Sequence, residues 1–114
     1  MDNVKFNLIL DKLLERTKEG KIQWKTTANQ DTLLAVLNDS SISVNRGFDE
    51  FEVGEFYTFD FRNENGETDA SISVLEKDSP PDEFKNVRKI YELAQENSFT
   101  NNKTVDRILE QLAA

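Results

Sequence analysis

The sequence predicts an α+β domain: an N-terminal helix, an antiparallel meander of four to five strands, and two C-terminal helices packed on one sheet face. Three observations predict it. Apolar residues recur at three- and four-residue spacing near both ends of the chain, over positions 6–17 and 84–112. Between them the pattern changes to period two. Asn65-Gly66, the preferred dipeptide of a tight hairpin turn, separates two alternating runs. Strands of period two have one covered and one wet face, and helices at the ends supply the cover. The chain of 114 residues is read as one domain, 1–114, with a single modest core.

In the first helix Phe6, Ile9, Leu10, Leu13, Leu14 and Thr17 form the inward stripe, while Lys5, Asp11, Lys12, Glu15, Arg16 and Lys18 fall elsewhere. Asn3 or Asp2 is placed to cap its start, and Gly20 to take the left-handed conformation past its end. Ile22 and Trp24 alternate with Lys21, Gln23 and Lys25 as a short first strand. Trp24 is either an exposed anchor for a partner or a core side chain; its placement two residues from Ile22 favours the core. Thr32–Leu37 is an apolar run whose period does not separate strand from helix. After the turn chemistry of Asn38-Asp39-Ser40-Ser41, Ile42 and Val44 mark another strand. Positions 47–54 then read as an acidic connection punctuated by Phe48, Phe51 and Val53.

Placing Asn65-Gly66 in a two-residue type I′ turn fixes every pair of the hairpin. Phe61–Ala70, Phe59–Ile72 and Tyr57–Val74 fall on one side. Arg62–Asp69, Asp60–Ser71 and Thr58–Ser73 fall on the other, with Phe56–Leu75 an apolar exception among them. Ser79-Pro80-Pro81-Asp82-Glu83 opens the next helix, with Ser79 as its cap and two acids at the positive end of its dipole. Phe84, Val87, Ile90, Tyr91 and Ala94 make the inner stripe. The pattern breaks over Asn97–Lys103, and Val105, Ile108, Leu109 and Leu112 form a last stripe.

The chemistry absent from the sequence is as informative. There is no Cys, so disulfides, thiolate metal sites and thiol nucleophiles are excluded. There is no His, which removes the commonest general base and metal ligand. No phosphate-binding glycine motif occurs. A calcium loop with Gly66 at its sixth position would need Ile72 as its twelfth-position carboxylate, so that reading fails. Leu8-Ile9-Leu10 is broken by Asp11 and Lys12, too short an apolar run for export or for spanning a bilayer. A soluble, cytoplasmic protein with no membrane partner and no cofactor is expected.

The net charge of −8 is concentrated in one block. From Asp49 to Glu83 there are twelve acids against two bases, Arg62 and Lys77, while both flanks are nearly neutral. The block reads three ways: a solvated surface, a docking face for a basic protein or a mimic of the phosphate backbone, or a weak divalent-cation site at Asp49, Glu50, Glu52 and Glu55. Acids interleaved with aromatic rings make a charge-selective surface. The candidate partner-binding residues are therefore Phe48, Asp49, Glu50, Phe51, Glu52, Glu55, Glu64 and Glu67, facing a basic protein. Phe56 has the same composition around it, and these rings also suit pinning the loop to the core. Direct nucleic-acid binding is disfavoured, because Lys12, Arg16 and Lys18, and Lys85, Arg88 and Lys89, are interspersed with acids. The alternatives are a metal-dependent hydrolase built on Asp49, Glu50 and Glu52, and a purely structural domain.

The run Leu13-Leu14-Glu15-Arg16-Thr17-Lys18-Glu19-Gly20-Lys21-Ile22-Gln23-Trp24, the turn Asn63-Glu64-Asn65-Gly66-Glu67 and the stretch Ile90-Tyr91-Glu92-Leu93-Ala94 carry a resemblance over most of the chain. Together they resemble a family of small uncharacterised prokaryotic and phage proteins with a TKxGKIxW-like segment and an NENGE-like hairpin turn. The resemblance implies the same helix–meander–helix order. No activity, cofactor or catalytic residue comes with it, and the Asp49–Glu55 segment looks longer here.

Overall fold

The computed structural model describes residues 3–51 and 54–114. Helix α1 (Asn3–Lys18) leads into strands β1 (Trp24–Thr26), β2 (Thr32–Val36), β3 (Ser41–Asp49), β4 (Gly54–Arg62) and β5 (Thr68–Leu75), followed by α2 (Pro81–Thr100) and α3 (Lys103–Ala113). The strands lie side by side in chain order, every pair antiparallel. This is the α+β meander that the two periodicities predict, with five strands. The ambiguous run resolves as strand, pairing Leu33 with Val44 and Ala35 with Ile42.

One face of the sheet is covered. Trp24, Leu33, Ala35, Val44, Tyr57, Phe59 and Val74 point to that face and are buried. The helices meet them with Phe6, Leu10 and Leu13 of α1 and Phe84, Val87, Ile90, Tyr91 and Ala94 of α2. The last five are the stripe read from the sequence. Phe6 stands edge-on to Phe59 and Phe61, so the start of α1 lies over β4. Its far end lies over β1, where Thr17 Oγ1 accepts the Trp24 indole N–H at 3.1 Å. Trp24 is thus a core residue, 1% exposed. Gly20 takes φ +71, and Lys21 donates its amide back to the Arg16 carbonyl, the expected left-handed helix stop. The opposite face carries polar cross-strand pairs: Thr58 shares a hydrogen bond with Ser73, and Ser71 donates to Asp60.

Four local expectations are corrected. The connection expected over 47–54 is shorter, because positions 47–49 continue β3 and pair with β4. Ser79 does not cap α2; its Oγ accepts the Leu75 amide, while Pro80 occupies the N-cap position and its carbonyl accepts from Phe84. The helix that follows runs through Thr100, so the break is confined to the Asn101-Asn102 junction, where Asn102 caps α3.

The fourth concerns the hairpin turn. Among its central residues only Gly66 has positive φ, which rules out type I′. Asn63 pairs with Glu67 across a three-residue loop, and the Asn63 side-chain oxygen accepts the amides of Asn65 and Glu67. The register shifts between Phe61 and Arg62: Arg62 pairs with Thr68, and Asp69 is left over as a bulge. That extra residue compensates for the longer loop, so the pairs from Phe56–Leu75 to Phe61–Ala70 stand as expected while Arg62–Asp69 does not. The cap expected from Asn3 or Asp2 lies outside the described side chains.

Candidate functional site

The sheet has two ends, and the predicted site residues are divided between them. β3 and β4 converge on a tip formed by Phe48, Asp49, Glu50 and Phe51; Glu52 lies outside the described residues. The hairpin tip with Glu64 and Glu67 lies at the opposite end of β4, nine residues from Glu55, or roughly 30 Å along a strand. The sequence-predicted residues therefore form two acidic regions.

At the first end Phe48 and Phe51 are 71% and 87% exposed, the latter among the largest apolar exposures of the chain. They border a shallow depression of about 480 Å³ with Asp49, Glu50 and Phe56. The Asp49 carboxylate accepts the Phe51 amide, shaping the turn that carries the second ring outward. Phe56 differs from these two: it is half-buried and lies across Gly47, its cross-strand partner.

Glu55 is committed to the fold. Its carboxylate accepts from the Tyr57 hydroxyl and from Arg88 of α2, both at 2.5 Å. Arg88 also approaches Glu76 at 3.6 Å and lies over the Phe84 ring. Partial burial pushes the Glu55 carboxyl up. The hydrogen bonds from Tyr57 and Arg88, with the charges of Arg88 and Arg46, outweigh that and hold it below its ordinary value. Burial first, and then Glu55, push the Tyr57 phenol well above the usual range. Glu55 thus ties β4 to the start of α2.

Beside it lies a second polar cluster that sequence reasoning missed. Arg46 stacks over Tyr91, whose hydroxyl donates to the Asp31 carbonyl at 2.9 Å. Burial raises the Tyr91 phenol, the Arg46 charge opposes this, and Asp31 adds to it. Asp31, Arg46, Gly47, Phe48 and Glu55 line a depression of about 380 Å³. The contributing residues are up to 60 positions apart, and only the spacing of Tyr91 within its helical stripe signalled any of it.

Among the described residues no group of three or more acids is disposed to hold a metal ion. The cation and hydrolase readings also required Glu52, which lies outside those residues. No described helix is long and apolar enough to cross a membrane. No protein-family model, curated protein or solved structure matches this chain.

Proposed function

We propose that this chain is a non-enzymatic, acidic protein-interaction module that takes a basic partner at the β3–β4 tip. The carrying observation is the exposure of Phe48 and Phe51 on either side of Asp49 and Glu50. Large rings held in water beside charges are the composition of an interface anchor with a charged surround. Desolvating the rings would supply affinity, and the acids would select and steer a cationic surface. Glu64 and Glu67, at the far end of β4, add to the long-range field without touching the same patch. Glu55 acts indirectly by fixing the strand that carries the tip.

The charge density suits a basic protein, or a nucleic-acid-binding protein for which the acids stand in for phosphates. As part of the same proposal, the chain has a soluble, cytoplasmic role in host interference or immunity. The test is a nuclease-treated pull-down from source-cell lysate at low and high salt. Wild type is run beside Phe48→Ser/Phe51→Ser and Asp49→Asn/Glu50→Gln. A basic protein held by wild type, weakened by salt and lost from both variants is the expected result. Equal capture by all three forms overturns the reading.

A further inference from the structure

A second surface feature, at the other end of the sheet, has the opposite character. α1 crosses the strands from β4 to β1 and leaves a groove of about 630 Å³ between itself and the sheet end. Leu8, Ile9 and Leu13 form the helix wall, and Ile22, Leu37, Ile42 and Phe61 form the sheet side. Leu8 and Leu37 are exposed at its mouth. The charged lining residues are Lys12, Arg16, Lys21 and Arg62; no acid is in the wall, although the chain carries −8 overall.

The bases are not equivalent. Lys12 and Lys21 make only exposed ion pairs, with Glu15 at 3.7 Å and Glu19 at 3.4 Å, and pairs of this kind are readily exchanged. Arg62 is held by Ser43 and Asp60 on the outer face, near the acidic hairpin tip. Arg16 makes no ion pair among the described residues. The more available positive end is therefore the one near β1, with Arg16 outside any ion pair among the described residues and Lys21 in an exposed pair with Glu19, while at the Phe61 end the one base, Arg62, is neutralised by Asp60.

From this polarity we infer that the groove is a binding site for a free single-chain amphiphilic anion, its carboxylate or similar headgroup between Arg16 and Lys21 and its alkyl tail toward Leu8 and Phe61. The volume is that of a small-ligand site, with apolar walls and a few charged groups that fix orientation. A cationic amphiphile would meet like charges at the head end, and a short anion would leave the apolar walls wet.

Amide NMR titration of the full chain tests this, with dodecanoate below its micelle concentration as probe and butyrate and dodecyltrimethylammonium as comparisons. Saturable binding of dodecanoate alone, with shifts along residues 8–16 and at Ile42 and Phe61, is expected. Arg16→Glu/Lys21→Glu, and separately Leu8→Asp, weaken it about tenfold or more. Leu109→Asp, on an apolar patch elsewhere, leaves it unchanged. These positions, apart from the groove, support no core packing, so folding is checked by retained amide dispersion. Equal binding of the cationic amphiphile, shifts centred on α3, or no effect of the charge reversal overturns the inference. So does binding only to vesicles of anionic phospholipid, which would indicate a membrane surface, or to an acidic amphipathic peptide, which would indicate a protein partner.

Discussion

The ring of Phe56 lies directly on the backbone of Gly47, its partner across β3 and β4. A β-carbon at Gly47 would stand 2.3 Å from Phe56 Cζ and within 2.8 Å of both neighbouring ring carbons. The aromatic thus covers a strand glycine that would otherwise leave the backbone open to water. It also explains why an apolar residue occupies the outer face among Thr58, Asp60 and Arg62. Gly47→Ala is expected to destabilise the domain by about 1–2 kcal/mol, because the ring must leave its rotamer or the strands must part. In Phe56→Ala the same change is nearly neutral. A double-mutant cycle by urea unfolding reads the coupling directly, and additive effects would refute the contact.

The indole of Trp24 depends on one hydroxyl. Thr17 is buried, with 6% exposure, and its Oγ1 accepts the indole N–H at 3.1 Å. Thr17→Val preserves shape but leaves that donor in the core without an acceptor, at an expected cost of about 1–3 kcal/mol. Thr17→Ser retains the acceptor and loses less. Thermal unfolding followed by the single tryptophan separates the two variants; equal losses would mean that Thr17 contributes by packing alone.

Acid stability follows from Glu55. Its folded-state pKa is depressed, so the stabilisation from ionised Glu55 is full above the unfolded-state value near 4.5. It is lost as pH falls through the folded-state value. Glu55→Gln is expected to cost about 1 kcal/mol at pH 7, modest because Arg88 is partly exposed, and to cost less at pH 3. The opposite sign holds at Tyr57, whose pKa is raised. Its neutral phenol stabilises below the unfolded value near 10, and this is lost as pH rises further. Denaturant titrations at several pH values read both limbs; a Glu55→Gln cost that persists unchanged at pH 3 would refute the first.

What could be read from the sequence was local in origin. The stripes of α1 and α2 and the hairpin pairs follow from periodicity, because burial of one face writes itself into neighbouring positions. β2 could not be read that way: Thr32–Val36 is too short to show a period, and its strand state comes from pairing with β3. The site was legible only in part. Acids and rings marked Phe48–Phe51, but composition does not reveal that Glu55 is tied to Arg88, 33 positions away. Nor does a block of like charge along the chain show that β4 carries its two halves to opposite ends. Interspersed acids hid the groove bases in the same way, since helix geometry separates residues that adjoin in sequence.

The hairpin yields the sharpest prediction, because two departures from regularity cancel there. The three-residue loop Glu64–Gly66 shifts the pairing by one position, and the bulge at Asp69 shifts it back. Deleting Asp69 would leave the same loop, put Thr68 beside Ala70, and still oppose Phe61 with Ala70, Phe59 with Ile72 and Tyr57 with Val74. Its loss removes only an exposed hydrogen bond from Asn63 and the unpaired position itself. The deletion is therefore expected to change stability by no more than about 1 kcal/mol. Deleting Ser71, two residues on, has no bulge to absorb it beyond that point. It would turn Ile72 and Val74 to the outer face, force a new bulge into the paired strand, or use up the bulge by setting the Asp69 carboxylate opposite Phe61 on the inner face and turning Ala70 outward; a loss larger than that of the Asp69 deletion is expected from each. Urea unfolding of the two deletion variants distinguishes the outcomes. Comparable damage from both would show that the bulge at Asp69 does not set the register.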